Sequence, residues 1–113
     1  MPGRTRIAES PPAAVQDALQ RLGRNLRTAR LRRRLPQAVL ADRVGVSRFV
    51  IADIEKGKPT TGIAAHLGLL WALGLLPQLE GVADPDRDEE GKALERSRIP
   101  GTARRARSLG DDF

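Results

Sequence analysis

A glycine between two short helical segments is the sequence feature that most restricts the fold. Residues 37–57, QAVLADRVGVSRFVIADIEKG, carry apolar residues at helical spacing on both sides of Gly45. Glycine adopts the left-handed conformation that ends a helix, and Ser47 is of the residue type that caps the start of the next one. The stretch therefore predicts two short helices joined by a tight turn, with the second crossing the first at a steep angle.

Apolar spacing predicts further helices on both sides of this pair. Before Pro36, apolar residues recur every three or four positions, which indicates an amphipathic helix with an arginine-rich outer surface. These residues are Val15, Leu19, Leu22, Leu26 and Ala29. A fourth helix is predicted to open at Thr61 or Gly62 and to end at Gly74, and LLPQLEGV indicates one more short turn. The inward face of the fourth helix is predicted to carry Ile63, Leu67, Leu70 and Leu73. Residues 13–82 are thus predicted to form a small all-α domain.

The two ends of the chain lack this periodicity. Residues 1–12 combine Pro, Gly, Arg and Ser, are predicted to be a disordered tail, and lack the apolar core of a secretory signal. Residues 83–113 are mixed in charge and weakly apolar. Within them DEEGKALERSR has acids early and arginines late, as a short helix favours, but alone it buries too little to stay ordered. We expect residues 83–113 to be an extension that either does nothing or folds on a partner.

Positive charge is concentrated at the start of the chain. The net charge is +6, and residues 1–35 hold nine arginines against two acidic residues. A basic chain favours anionic partners such as nucleic acid or a membrane surface, although a solvated arginine-rich helix face is the simpler interpretation. The absence of cysteine excludes disulfides and thiolate metal sites, and no apolar run reaches the roughly 18 residues of a membrane span. We expect a soluble, cytoplasmic protein.

The segment LADRVGVSRFVIADIEKGK resembles the Cro/repressor-type (Xre) helix-turn-helix family. The resemblance covers roughly residues 22–74 and implies a lambda-repressor-like fold of five short helices that binds operator DNA as a symmetric dimer, with its third helix in the major groove. It implies DNA contacts for the exposed face of that helix: Ser47, Arg48, Phe49, Ala52 and Asp53. It also implies that Gln37 holds a phosphate and that Lys56 and Lys58 lie along the DNA backbone.

Three residues depart from the pattern of this family. Pro36 replaces the usual Ser or Thr cap before the second helix, so that capping bond is lost. Phe49 stands where a polar base reader is common, and it either contacts a thymine methyl or simply packs. Asp53 brings a carboxylate near DNA, where it is repelled unless it accepts from cytosine N4 or is neutralised by Arg48.

Other polar residues are interpreted as structural. Arg30 and Glu55 occupy positions that often form a salt bridge between the first and third helices of the family, and we interpret them as a stabilising pair. His66, the only histidine, is interpreted as a core or boundary residue. There is no phosphate-binding loop, no metal-ligand spacing and no regular calcium-loop pattern in DPDRDEE, so the sequence predicts no catalytic residue, no cofactor and no metal site.

An apolar cluster near the end of the domain suggests self-association. Trp71 takes a place that the family usually fills with an exposed polar residue, and Leu75, Leu76 and Leu79 follow it. Such patches usually mark contacts, and twofold contacts between identical chains are the commonest kind. These four residues are predicted to form a homodimer interface; the alternative is that they close the core of their own domain.

The tail, together with LGLLPQLEGVADP, resembles the HipB-like antitoxins, the DNA-binding halves of toxin–antitoxin pairs whose toxin is a HipA-like kinase. This resemblance implies a type II antitoxin that represses its own operon, binds the kinase and holds it inactive. Because residues 83–113 have no core of their own, we expect this tail to bind the partner, although the sequence leaves open whether the tail or the core makes the main contact. Two alternatives remain open. One is a stand-alone Xre-type repressor, and the other is an adaptor that uses the helix-turn-helix scaffold for protein contacts only.

Overall fold

The computed structural model describes residues 5–98, and all regular structure within them is helical. The chain divides into two compact units, Met1–Pro77 and Gln78–Phe113. The helices of the first unit are α1 (Arg6–Glu9), α2 (Ala13–Arg32), α3 (Gln37–Val44), α4 (Arg48–Glu55) and α5 (Ile63–Ala72). A 3-10 helix, Leu76–Gly81, follows α5. The prediction of an all-α fold is confirmed.

The hydrophobic core of the first unit receives side chains from α2, α3, α4 and α5. Its five most deeply buried side chains are Leu26, Leu40, Ile51, Ile54 and Leu69. Burying a side chain of this size contributes roughly 1.5–3 kcal/mol. The apolar spacing predicts six inward positions on α3 and α4. Four of them are buried, Leu40, Ala41, Ile51 and Ile54, and the other two, Val44 and Val50, are half-buried.

The face that α5 buries differs from the predicted one. Ile63 was expected to face inward with Leu67, Leu70 and Leu73, yet it is 70% exposed. The buried stripe of this region is instead His66, Leu69, Leu70 and Leu73, which keeps the helical spacing of three and four residues. Because α5 is apolar on nearly every side, its periodicity could not single out one face.

The turn between α3 and α4 has the predicted geometry. Gly45 ends α3 in the left-handed conformation, with a φ of 89°, and the backbone N–H groups of Gly45 and Val46 both donate to the carbonyl of Ala41. Ser47 then caps α4, because its hydroxyl accepts the N–H of Val50 at 3.4 Å. Pro36 stands before α3 without a side-chain capping bond, as predicted.

The turn between α2 and α3 contains a strained residue. Arg34 has a φ of 55°, a left-handed conformation that is unfavourable for a residue with a β-carbon. The N–H of Leu35 donates to the carbonyl of Arg30, and the guanidinium of Arg30 donates back to the carbonyl of Leu35 at 2.8 Å. These two hydrogen bonds close the turn and hold Arg34 in its strained conformation.

The close approach of α2 to the end of α4 depends on Gly23. A β-carbon at this position would lie 2.7 Å from the carbonyl oxygen of Glu55, and still closer to that of Ile54. Both neighbours are backbone atoms, which cannot rotate away as a flexible side chain would. The absence of a side chain at Gly23 therefore sets the distance between the two helices.

Residues 1–12 contain one short element that the sequence did not suggest. Arg6–Glu9 form the single helical turn α1, and the hydroxyl of Thr5 accepts the N–H of Ala8 at 3.3 Å. No residue of α1 is buried. Thr5 is of the residue type that caps a helix, which accounts for this isolated turn.

The second unit contains a further 3-10 helix, Pro85–Arg87, and α6 (Glu89–Arg98). The helix predicted within DEEGKALERSR is therefore present, with Glu89 and Glu90 in its first turn. Neither element has a buried residue. The division into units falls after Pro77, whereas the sequence placed the domain boundary after Val82. Residues 99–113, which include the basic sequence RRAR, lie outside the described residues.

Candidate nucleic-acid interface

The two faces of α4 differ sharply in burial. Ile51, Ile54 and Glu55 are buried against the rest of the first unit. Arg48 and Phe49 are exposed in the first turn of the helix. Of the other residues predicted to contact DNA on this element, Ser47 is exposed at the cap, whereas Ala52 and Asp53 are half-buried one turn further on. The structure thus brings all five predicted contact residues to one short helix.

Arg48 and Phe49 contact each other. The guanidinium carbon of Arg48 lies 4.8 Å from the centroid of the Phe49 ring, within the range of a cation–π interaction. Phe49 remains 66% exposed. The sequence left open whether Phe49 packs inside the domain. Its exposure shows that the ring is not part of the core of the first unit.

The charge of Asp53 is balanced by a different cation from the expected one. The sequence left two possibilities, acceptance from a cytosine or neutralisation by Arg48, but the carboxylate of Asp53 lies 3.4 Å from the ammonium of Lys58. Both side chains are partly exposed, so the pair contributes at most about 1 kcal/mol. The reason for the correction is that Arg48 contacts the ring of Phe49.

The two lysines predicted to contact the DNA backbone follow α4 directly. Lys56 is the C-terminal cap residue of α4, and both Lys56 and Lys58 are exposed. Within residues 5–98, Lys56 has no ion-pair partner, whereas Lys58 forms an ion pair with Asp53. An ammonium group carries three donors, so Lys58 keeps donors for a second anion.

A buried ion pair fixes the C-terminal end of α4. The guanidinium of Arg30 donates to both carboxylate oxygens of Glu55, at 2.7 and 3.0 Å, and both side chains are almost wholly buried. The pair that the sequence suggested is confirmed. Its two-point geometry is the strong form of an arginine–carboxylate contact, and it joins α2 to α4.

Gln37 is part of the same buried network. Its amide nitrogen donates to Glu55 at 3.0 Å, so the first residue of α3 is joined to the last residue of α4. One amide N–H is used in this bond, and the other N–H and the amide oxygen remain for further partners. The sequence assigned Gln37 to a phosphate and missed the bond to Glu55, because residues 18 positions apart give no local signal.

The structure places the four residues of the predicted dimer interface in different environments. Trp71 is 62% exposed on α5. Leu75 and Leu76 are half-buried and belong, as Trp71 does, to the first unit. Leu79 is half-buried and belongs to the second unit. Trp71 is therefore the only one of the four with a largely exposed side chain.

Several features bear on other classes of site. His66 is buried, and its Nδ1 lies 3.0 Å from the carbonyl oxygen of Gly62, which agrees with its structural interpretation. Within residues 5–98, no group of three or more His, Cys, Asp or Glu side chains is arranged to hold a metal ion. Over the same residues, no helix combines the length and apolar character needed to cross a membrane.

Comparison with known families agrees with this architecture. The family model of a helix-turn-helix domain matches residues 21–80, which is more than half of the chain. The chain belongs to this helix-turn-helix domain family, and α3 and α4 are its paired helices. It is a DNA-binding regulator. No curated protein and no solved structure matches the chain significantly.

Proposed function

We propose that this chain is a sequence-specific transcriptional repressor that inserts α4 into the major groove of operator DNA. The observation that supports the proposal most is the contrast within α4. Arg48 and Phe49 project into solvent from its first turn, while Glu55 is anchored in a buried network at its last residue. A helix held at one end and bare at the other suits the docking geometry of this motif. We assign such a repressor to the cytoplasm.

In this proposal the DNA contacts fall into two groups. Ser47, Arg48, Phe49, Ala52 and Asp53 meet base edges, which carry the sequence information. Gln37, Lys56 and Lys58 contact phosphates, which position the protein without distinguishing sequences. The free amide N–H of Gln37 is the donor that would meet a phosphate oxygen.

We also propose that the repressor binds as a homodimer. A single short recognition helix offers few base contacts, so useful affinity requires two copies on an inverted repeat with half-sites about one helical turn apart. The dimer contact is assigned to Trp71, Leu75, Leu76 and Leu79. The exposure of the Trp71 side chain supports this assignment, because a surface tryptophan is a frequent anchor of protein interfaces.

The DNA proposal is tested by selecting binding sites from a library of random duplexes and then measuring affinity for the selected site and for a scrambled one over a series of salt concentrations. We expect preferential binding to the selected site and a linear fall of log affinity with log salt concentration on both duplexes. An adaptor that uses the scaffold only for protein contacts would select no sequence and would show no salt-dependent binding.

The dimer proposal is tested by the double substitution Leu76→Asp and Leu79→Asp, with light scattering to measure mass. We expect a folded monomer that binds the selected site weakly. Ile63→Asp controls for a charge placed on the apolar surface, because Ile63 is 70% exposed and lies on the same helix as Trp71 but outside the assigned interface. A dimer that survives the double change would place the interface elsewhere, with the tail as the next candidate.

A second proposal concerns the tail. We propose that residues 83–113 bind and hold inactive a HipA-like kinase, which would make the chain the antitoxin of a type II pair that represses its own operon. The described part of this segment supports it, since α6 has no buried residue and Leu94 on α6 is nearly half exposed. A helix with no core of its own can gain its apolar contacts from a partner as it orders.

This second proposal is tested with a chain truncated after Val82 and with the product of the adjacent gene. We expect the truncated chain to bind DNA with near-normal affinity but to lose co-purification with a neighbouring kinase and protection in a growth assay. If the full chain captures no kinase, or truncation leaves capture and protection intact, the tail proposal fails. A gene neighbourhood without a kinase-like gene would favour the stand-alone repressor.

A further inference from the structure

The contact between Arg48 and Phe49 is unusual because both groups are on the exposed side of the proposed recognition helix. The guanidinium carbon lies 4.8 Å from the ring centroid, and two-thirds of the Phe49 side chain is accessible to solvent. The two acidic side chains of α4 do not compete for Arg48, since Asp53 pairs with Lys58 and Glu55 pairs with Arg30. Arg48 and Phe49 are therefore in contact with each other on the surface of the unbound chain.

The chemistry of this pair leaves both members able to contact a base. A cation–π contact acts through the π-electrons of the ring and uses none of the five N–H donors of the guanidinium. Those donors can still bond the O6 and N7 atoms of a guanine, which is the commonest specific contact of arginine in the major groove. The uncovered part of the ring is apolar and suits the 5-methyl group of a pyrimidine.

The spacing of the pair matches neighbouring bases. Successive nucleotides of a strand lie about 3.4 Å apart along the duplex axis. Two groups separated by 4.8 Å can thus meet adjacent base pairs, but not base pairs several steps apart. The ring also limits the conformations of the arginine before binding, which lowers the entropy lost when the guanidinium bonds a base.

We propose that Arg48 and Phe49 act as one unit that recognises a two-base step, a guanine beside a 5-methylpyrimidine. The methyl group comes from thymine or from 5-methylcytosine, which present it at the same place in the major groove. This inference rests on the proposed function, because it requires α4 to enter the groove. The inference names the base step that α4 would recognise, and it requires that recognition of the guanine by Arg48 depend on Phe49.

The experiment begins with a site selected by the wild-type chain from random duplexes. In that site, the thymine beside the preferred guanine is replaced by deoxyuridine, which removes only the methyl group. We expect the wild-type chain to bind the deoxyuridine duplex about threefold to fivefold more weakly, the effect of one buried methyl group. In a second pair of duplexes that position holds cytosine or 5-methylcytosine, and we expect a similar gain from the added methyl. These two arms distinguish the sources of the methyl group.

The matched variants are Phe49→Ala and Val82→Ala, which both shorten an exposed apolar side chain. We expect Phe49→Ala to bind the thymine and deoxyuridine duplexes equally and to discriminate less against replacement of the guanine. Val82→Ala should discriminate as the wild-type chain does. The difference between variants isolates the contact of ring and methyl, as in a double-mutant cycle.

The possible failures are distinguishable. If the wild-type chain selects no sequence, the proposed function itself is wrong. If it selects a site that lacks a guanine beside a thymine, or binds thymine and deoxyuridine duplexes alike, the two-base unit is wrong while DNA binding stands. If Phe49→Ala keeps the wild-type preference for thymine, the ring does not contact the methyl group and the inference is overturned. The inference is also overturned if Phe49→Ala lowers the affinity for all duplexes equally and lowers the mass measured by light scattering, because Phe49 then acts in assembly.

Discussion

The two ends of α4 are built for different purposes. At the C-terminal end, Glu55 is buried, accepts hydrogen bonds from Arg30 and Gln37, and lies against a glycine of α2. At the N-terminal end, Arg48 and Phe49 contact each other and are otherwise open to solvent. One end is tied to two other helices, whereas the other is free to meet a ligand.

This difference indicates that the C-terminal end of α4 stabilises the domain and that its N-terminal end recognises the ligand. Substitutions at the buried end remove partners from groups that water cannot reach, so they reduce the free energy of unfolding. Substitutions at the exposed end remove groups that solvent already surrounds, so they change affinity with little effect on folding.

Glu55→Ala should be the most damaging of these changes. It leaves the guanidinium of Arg30 buried without its carboxylate, and removing one partner of a buried pair typically costs about 3–5 kcal/mol. The measurement is denaturant unfolding. The double change Arg30→Met and Glu55→Met is the control and should recover much of the loss, because no buried charge then remains. A loss for Glu55→Ala near that of a surface substitution would refute the anchoring role.

Arg48→Ala should affect binding and not folding. We expect a loss of about 1–3 kcal/mol on the selected duplex and relaxed preference at one base pair. The free energy of unfolding should stay within about 0.5 kcal/mol of the wild-type value. Arg24→Ala, at an exposed position of α2, is the matched control and should keep the sequence preference. Equal losses on specific and random duplexes would mean that α4 is not the recognition helix.

Ser47→Ala tests how much the N-terminal cap of α4 contributes to stability. The hydroxyl of Ser47 caps α4 through a bond of 3.4 Å, which is long, so we expect a loss of about 0.5–1 kcal/mol in unfolding free energy. Ser47→Gly should cost only a few tenths of a kcal/mol, because glycine is tolerated at this cap. If alanine and glycine are equally harmless, the cap contributes nothing and the first turn of α4 is held by other contacts.

Lys56→Ala should produce the smallest change, visible mainly in the dependence on salt. The loss of one phosphate contact lowers the slope of log affinity against log salt by about 0.9, with equal effect on all sequences. Lys92→Ala in the second unit is the control, because its ammonium is already engaged by Asp86 and Glu89. An unchanged slope for Lys56→Ala would remove Lys56 from the proposed DNA contact.

The sequence predicted the helices well because their ends are marked by local signals. Gly45 and Ser47 act on their own backbone and its near neighbours, so α3, the turn and α4 could be located without knowledge of the fold. The pair of Arg30 with Glu55 was also anticipated, from the family resemblance, whereas the sequence left the environment of Phe49 open. Each of these depends on spacing along one helix or on a known motif.

The remaining features depend on distances across the fold. The bond from Gln37 to Glu55 and the pair of Asp53 with Lys58 require the crossing geometry of helices and the course of a loop, which periodicity does not contain. The exposure of Ile63 was missed because α5 is apolar around most of its circumference. The contact of Arg48 with Phe49 depends on side-chain rotamers, about which the sequence says nothing.

The left-handed turn at Arg34 has a consequence for heat tolerance. An L-residue other than glycine loses about 1–2 kcal/mol in this conformation, whereas glycine adopts it without steric conflict. Glycine also gives the unfolded chain more freedom, which costs about 0.5–1 kcal/mol, so the net gain from Arg34→Gly is about 1 kcal/mol at most. Since 1 kcal/mol shifts the melting temperature of a domain of this size by about 4–8 °C, the substitution would raise it by a few degrees. A chain that keeps arginine here forgoes that margin of heat resistance and retains instead a positive charge three residues before Gln37.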